Sequence, residues 1–499
     1  MQLILCLLLY PSVTLLFAVF IELLISLCDE FLTNTNREIS NERIRSDATV
    51  EIKPCLSSRL AMEKDGSRFF AVVIDAGSTG TRIHIFEFSH GISENASHFY
   101  IKNGTMKEIK PGLSSYAAKP EDAIDGIKIL LNLARNTIPQ NLWKYTPITL
   151  KATAGLRLLQ DHQANALLNQ VKTFIVGSGF FYGDDSIGII SGTDEGIFSW
   201  FTINMLSGQM GNFKETSEDD CENSVYKSSM TGKNQFSAAT LDLGGGSTQI
   251  TFLPTDLYET FVNVDRELFS HKLDIFGNLL NLYTHSYLGN GLVASRLGTI
   301  QRSPLSTKNL LVTSCLPEKL LVKDRDYTGL HWSIKGSSSY SFKNCLLSVM
   351  EYISFTEVKK AYELNKHKIY VTGYFYDRGM EAKLAVESIN GSGGISSVDG
   401  FKKAAVEACS RTTREIARSY WRPWECFDLT YIYGLLKYGY GLDDKKEIHL
   451  VKRLKGIETS WALDASYHLL HSYHQNIFSS RESLENMNAF VFLSSWEAG

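Results

Sequence analysis

Phe69-Phe-Ala-Val-Val-Ile-Asp75-Ala-Gly77-Ser78-Thr79-Gly80-Thr81-Arg82-Ile-His-Ile-Phe-Glu-Phe88 is the stretch on which the fold turns. An apolar run ends in Asp75, five small residues follow, and a second apolar run begins after Arg82. That order predicts strand, tight loop, strand. Small residues let backbone N–H groups close around an anion without Cβ interference. The hydroxyls of Ser78 and Thr79 add donors beside Gly77 and Gly80, and Arg82 can neutralise a phosphate oxygen. Asp75 stands where the strand opens into the loop, placed to hold a cation through water.

The same grammar returns at Leu241-Asp242-Leu-Gly244-Gly245-Gly246-Ser247-Thr248-Gln249, followed by a further apolar run. One Gly-rich hairpin is a weak signal, because most such turns only turn. Two of them, each opening on an Asp, predict two related lobes that offer phosphate loops to a shared cleft. Asp75 and Asp242, one per lobe, would share a hard cation that prefers oxygen ligands, with Thr153 and Gln249 holding its waters. The bland alternative for each Asp is a strand-end cap.

Between the hairpins the chain alternates strand and helix patterns. Pro120-Glu-Asp opens an amphipathic helix with Ile124, Ile127, Leu130, Leu131 and Ala134 on one face. Lys151-Ala-Thr153-Ala-Gly155-Leu-Arg157 is a strand running into a small-residue turn, and Leu167, Leu168, Val171, Phe174 and Ile175 mark a second helix. This is an α/β pattern. Ser191-Gly192-Thr193-Asp194-Glu195-Gly196 then sets two carboxylates on a Gly-rich turn before a helix. Glu195 is the candidate general base, with room for a water left by Gly192 and Gly196; Asp194 is its rival. Serving the helix dipole is the simpler role for either acid. Downstream, a long helical region spans 266–300, a Ser-rich segment separates Cys315 from Cys345, and a helix covers 345–364. Ile369–Gly373 is an aromatic strand ending in a turn flanked by Tyr374 and Tyr376, which could stack a base. Helices follow near 401–419, 428–439 and 459–470.

Length allows two to four domains, and 44% apolar against 21% charged residues supports a packed core. A net charge of −4 gives no electrostatic case for nucleic acid. Residues 1–28 are apolar apart from Glu22, which reads as a signal anchor or signal peptide. Residues 29–66 read as a polar stalk and 207–237 as a surface insertion. The last four cysteines, 315, 345, 409 and 426, read as disulfides behind such a segment. Sequential pairing closes the shortest loops, though three pairings are open. Sequons at Asn95, Asn103 and Asn390 fit a lumenal chain.

The chain carries five ordered blocks: Asp75–Arg82, Lys151–Arg157, Gly192–Gly196 with Trp200, Leu241–Gln249 and the late aromatic block at Tyr374–Tyr376. Over residues 69–470 the chain resembles the ectonucleoside triphosphate diphosphohydrolases, the apyrase family. Its single N-terminal apolar segment, four late cysteines and Tyr283–Gly289 stretch look most like the type 5 and type 6 nucleoside diphosphatases. The resemblance implies a two-lobe α/β fold like actin, Hsp70 and the sugar kinases, with the active site between lobes. The expected division is lobe I at 67–190 plus 457–475, lobe II at 191–456 and a C-terminal extension at 476–499.

It also implies Glu195 as the base that activates water, and Ca²⁺ or Mg²⁺ held mainly through water between Asp75 and Asp242. In-line attack would proceed without a phosphoenzyme, with Tyr376 packing on the base. The family's second stacking residue falls near Cys426, where this chain has Glu425 and Phe427. The family pattern, joined to loop closure, favours Cys315–Cys345 and Cys409–Cys426, with Cys221 free. The expected function is metal-dependent release of the terminal phosphate of UDP, GDP or IDP by a monomer. Its expected place is the ER or Golgi lumen, held by one N-terminal segment, with cleavage and secretion as the other fate. A broader apyrase acting on tri- and diphosphates is the alternative. An exopolyphosphatase-like enzyme and a catalytically inert nucleotide-binding module are the rivals from other classes; export features weigh against the first and Glu195 against the second.

Overall fold

The computed structural model describes residues 68–90, 99–209, 237–275, 278–306, 310–327, 330–386, 393–416 and 422–470. The segment 1–28, the stalk, Cys221, the sequons at Asn95 and Asn390, most of 207–237 and the extension 476–499 lie outside these residues.

β1 (Arg68–Ala76) and β2 (Thr81–His90) pair antiparallel with Asp75 opposite Arg82. β1 is apolar at every position from Phe69 to Ile74 because both its faces are covered. Phe70, Val72, Ile74 and Ala76 enter one core cluster, while Ala71 and Val73 enter another. β3 (Phe99–Ile109) extends the sheet beyond β2, and β4 (Ile148–Ala152) and β5 (Ile187–Ile189) add parallel strands beyond β1. Such connections need crossovers. They are supplied by α1 (Ile124–Thr137), which buries Ile124, Ile127, Leu130, Leu131 and Ala134, and by α2 (Asp161–Val176).

The second sheet repeats this plan. β6 (Ala239–Leu243) and β7 (Ser247–Phe252) pair antiparallel with Asp242 opposite Gln249. The next antiparallel strand on the β7 side is β9 (Asn278–Leu288), with β8 (Ser270–Ile275) at the edge. On the β6 side, β13 (Ile369–Gly373) and β15 (Glu447–Leu450) run parallel, with β14 (Gly394–Ser397) outermost. Hairpin, third antiparallel strand and two parallel strands thus occur twice, and the two hairpin loops meet between the sheets. The chain is a two-lobe α/β protein. After β15 it returns to the first sheet, where Trp461, Ala462, Leu463 and Leu470 pack against Ala71, Val73, Phe86 and Phe88.

Several local expectations are corrected. Residues 266–300 are not one helix: strands occupy Ser270–Ile275 and Asn278–Leu288, and only α4 (Leu292–Arg302) is helical at the end. Tyr283, Thr284 and Tyr287 are β-formers, and all three are buried in the sheet. The Ser-rich segment holds β11 (Leu321–Tyr327) and β12 (Leu330–Ser337), which form a small sheet with β10 (Leu311–Pro317). The helix at 345–364 is α5 (Phe342–Phe355), started by the Ser341 cap. Tyr374 and Tyr376 do not flank a loop but lie in the first turn of α6 (Tyr374–Glu381). The strand-to-helix corner is Gly373 at φ +63°, where a Cβ would sit 2.4 Å from the Leu243 carbonyl. The later helices are α7 (Val398–Ala408) and α8 (Arg422–Gly434). Disulfides join Cys315 to Cys345 and Cys409 to Cys426, with Cα separations of 4.8 and 4.6 Å.

Candidate active site

The loop after β1 and the loop after β6 face each other across one cleft. They touch: a Cβ on Gly245 would fall 2.5 Å from Ser78 Oγ and 2.6 Å from Thr79 Cγ2. Gly77, Ser78 and Thr79 border the cleft from one side, and Gly244, Gly245, Gly246 and Ser247 from the other. Asp75, Arg82 and Thr153 line it from the first lobe, and Asp242 and Tyr376 from the second. Thr79 and Tyr374 link the lobes directly, the Tyr374 hydroxyl standing 3.2 Å from Thr79 Oγ1.

Three expected site residues do not border the cleft. Gly80 packs beneath the Glu108 carboxylate, which a Cβ would meet at 2.5 Å. Thr248 is fully buried, and its hydroxyl donates to the Asp242 carbonyl (2.7 Å) and meets the Tyr440 hydroxyl (3.0 Å). It braces the loop from behind and offers no side-chain donor to an anion. Gln249 stands one layer back, its amide donating to Glu195 Oε2 (3.1 Å), Ser247 Oγ (2.8 Å) and Ser286 Oγ (3.0 Å).

Glu195 reaches the cleft from the first turn of α3 (Gly192–Ser207), a helix buried on most sides between the two sheets. Its start is fixed by Ser191, whose Oγ accepts from the Asp194 amide (3.0 Å) and donates to Asp194 Oδ2 (2.7 Å). Asp194 is therefore spent on the helix cap, and Glu195 alone of the two acids borders the cleft. The flanking glycines do not serve to leave room for a water. The Cβ positions of Gly192 and Gly196 are occupied by Arg157 and Ser286, and by Thr251 and Thr284. They bring α3 hard against its neighbours.

Arg157 closes the Lys151–Arg157 block, a place in the sequence that suggests no role for it. It ends the short helical turn after β4, and its Nη2 donates to Glu195 Oε2 at 2.5 Å and lies 3.5 Å from Ser247 Oγ. Glu195 is thus gripped from both lobes, by Arg157 and by Gln249. Burial pushes the Glu195 carboxyl up to about 8; Arg157 opposes this, while Asp242 and Asp75 add to it. Burial likewise raises Asp75 to about 6 against the pull of Arg82, and raises Asp242 against a hydrogen bond from Thr372 Oγ1 (2.8 Å). Arg82 is shared between Asp75 (3.5 Å) and Glu108 (2.7 Å).

Three buried carboxylates of like charge fit a site made for a cation. Asp75 Oδ1 and Gln249 Oε1 are buried with no hydrogen-bond partner, and both are hard oxygen donors. Among the described residues no three His, Cys, Asp or Glu side chains form a metal cage. The set therefore suits a hydrated ion held by few direct ligands.

Tyr376 borders the cleft but is buried in the core of the second lobe at 8% exposure, with Lys452 Nζ 5.8 Å from the centre of its ring and 3.8 Å from Asp377 Oδ1. Glu425 and Phe427 take no part: Glu425 is buried against Arg411, and Phe427 stacks on Tyr431 in the core.

A model of the GDA1/CD39 (nucleoside phosphatase) family matches residues 61–484. The chain is 40% identical over 403 residues to nucleoside-diphosphatase uda-1 of Caenorhabditis elegans, covering 79% of this chain and 80% of the relative. It is 38% identical over 408 residues to ectonucleoside triphosphate diphosphohydrolase 5 of Gallus gallus, covering 81% and 88%. In three dimensions it is similar to a nucleoside triphosphate hydrolase of Neospora caninum, with a TM-score of 0.55 at 16% identity over 81% of this chain and 93% of that one, a likeness of fold.

Proposed function

The chain belongs to the GDA1/CD39 (nucleoside phosphatase) family, and from that premise we propose that it hydrolyses nucleoside diphosphates to nucleoside monophosphate and phosphate. The observation that carries this reading is Glu195 gripped by Arg157 and Gln249 at the meeting point of two Gly-rich loops. The names of the relatives, a nucleoside-diphosphatase among them, support the diphosphate as substrate.

In this reading the backbone N–H groups of the two loops, with Ser78, Thr79 and Ser247, hold the terminal phosphate. Glu195 Oε takes a proton from a water aligned with phosphorus. The water oxygen forms the new P–O bond, and the bridging P–O bond breaks with its electron pair leaving on the nucleoside monophosphate. A divalent cation, Mg²⁺ or Ca²⁺, held through water by Asp75 and Asp242 with Thr153 and Gln249 beside them, would offset charge on the phosphate oxygens. Arg157 favours the ionised form of Glu195 against the effect of burial and aims the carboxylate. Tyr376 would pack on the base. Two disulfides and the exposed sequon Asn103-Gly-Thr105 support a glycosylated protein of an oxidising compartment, which we assign to the secretory pathway or beyond it. The test is phosphate release from UDP, GDP, ADP, UTP and ATP at matched Mg²⁺ or Ca²⁺. Diphosphates are expected to lead; equal rates on ATP and GDP would replace this reading by that of a broad apyrase.

A further inference from the structure

We propose that the turn Gly289-Asn290-Gly291 and the first turn of α4 aim the second phosphate loop at the substrate, with Tyr352 and Tyr431 as positioning residues behind them. The inference rests on the nucleotide reading above and deepens it. Three successive glycines, Gly244, Gly245 and Gly246, border the cleft. Glycine has the widest choice of backbone conformation, so such a run does not by itself keep its amides turned toward an anion. Their direction has to come from outside the loop.

The loop carbonyls are what is tied down. The Gly244 carbonyl accepts from the Leu292 amide (2.9 Å), and the Gly245 carbonyl accepts from the Val293 and Ala294 amides (both 3.0 Å). The Gly246 carbonyl accepts from the Gly289 amide (2.8 Å). Leu292, Val293 and Ala294 carry the first amides of α4, which no helix satisfies internally. In a planar trans peptide the N–H points opposite to the C=O. Three carbonyls drawn toward α4 therefore turn the amides of Gly245, Gly246 and Ser247 the other way, to the side on which the loop borders the cleft. The positive end of the α4 dipole lies at the same carbonyls, polarises these peptide units and strengthens their N–H groups as donors. Gly291 permits the close approach, since a Cβ there would fall 2.4 Å from both Gly246 N and Ser247 N.

The turn before α4 is in turn held from behind. The Tyr352 hydroxyl, on α5, donates to the Gly289 carbonyl (2.7 Å), and the Tyr431 hydroxyl, on α8, donates to the Asn290 carbonyl (2.7 Å). The Thr356 hydroxyl donates to Asn290 Oδ1 (2.9 Å). Asn290 is 1% exposed and Tyr431 fully buried, so these bonds are made out of reach of water and each is costly to leave unmade. Farther along α4, Arg296 pairs with the buried Asp428 carboxylate at 2.7 and 2.6 Å, which fixes the helix against α8. Tyr352, Asn290 and Tyr431 stand outside the lining of the cleft. Their effect on a ligand therefore passes through the loop.

The experiment follows UMP formation from UDP by the full chain and by Tyr352→Phe, Tyr431→Phe and Gly291→Ala, with inorganic phosphate and uridine as inhibitors. Each tyrosine variant keeps its ring and loses one donor. Their kcat/KM per folded molecule should fall roughly 3- to 30-fold, the effect of about one buried hydrogen bond on the aim of the loop. Inhibition by inorganic phosphate, which uses the loop, should weaken by a similar factor. Inhibition by uridine, which has no phosphate, should not change. Gly291→Ala drives a methyl into the loop and should lose more than either. A merely structural role would lower the unfolding temperature of the tyrosine variants and leave kcat/KM and phosphate inhibition unchanged, and that result would overturn the proposal. Equal weakening of phosphate and uridine would overturn it as well. Tyr352→Phe carries the test if Tyr431→Phe does not fold. An unsubstituted chain that forms no UMP from UDP would instead overturn the nucleotide reading, and direct binding of inorganic phosphate to the same variants would then test the loop alone.

Discussion

Glu195 is caught between opposing forces, and that makes its titration a test. Burial, Asp75 and Asp242 push its carboxyl up to about 8, and Arg157 pulls the other way. As a base it works only when ionised, so kcat/KM should rise with pH on the acid limb, with a midpoint well above the ordinary value of 4.5. A bound cation offsets Asp75 and Asp242, which moves the midpoint below the value for the cation-free chain. Removing the guanidinium disfavours the charged form. Arg157→Ala should therefore shift this limb to higher pH by roughly 1–3 units, whereas a merely structural role for Arg157 would lower the rate without moving the limb. Asp75, Asp242 and Glu195 were legible as candidates because each sits at a fixed place in a local pattern. Arg157 was not, since its partner lies 38 residues away and the pairing exists only once the lobes meet. Thr248 and Gly80 belonged to the right loops, but sequence does not tell that the Thr248 side chain turns inward or that Gly80 packs beneath Glu108.

Among the elements, α3 carries the heaviest demand. It must present Glu195 while packing against both sheets, and Gly196 lets it approach β7 with a would-be Cβ 2.8 Å from Thr251 Oγ1. Gly196→Ala should cost about 1–3 kcal/mol of stability, read by denaturant unfolding, and should lower kcat by displacing Glu195. A fully stable, fully active variant would show that this contact is not limiting. The disulfides act on the second lobe, where Cys315 and Cys345 join β10 (Leu311–Pro317) to α5 and Cys409 and Cys426 join the end of α7 to α8. Replacing either pair with alanine should lower unfolding free energy by roughly 2–5 kcal/mol, and a non-reducing peptide map joining Cys345 to Cys409 would refute the pairing. At this scale the first lobe was readable because its strands and helices alternate with clean periods. The 266–300 region misled because Leu279, Leu280, Leu282 and Leu288 look helical, while Tyr283 and Thr284 are ordered by neighbours across the sheet.

For the whole molecule, the duplicated hairpin predicted the architecture, and the paired sheets account for it: each lobe contributes one loop and one aspartate, and neither is a site alone. The cation requirement is a property of this arrangement. Chelation with EDTA should stop phosphate release and Mg²⁺ or Ca²⁺ should restore it, while Asp75→Ala and Asp242→Ala should raise the cation concentration for half-maximal rate. Full activity in chelator would remove the metal from the account. The most direct measurement compares phosphate release from UDP by the full chain and by Glu195→Gln, with UDP binding measured in parallel. The amide keeps the shape and loses the base, so turnover should fall by about 10² to 10⁴ while the dissociation constant for UDP stays nearly unchanged. A Glu195→Gln enzyme that turns over UDP normally, with Asp194→Asn inactive, would contradict the assignment.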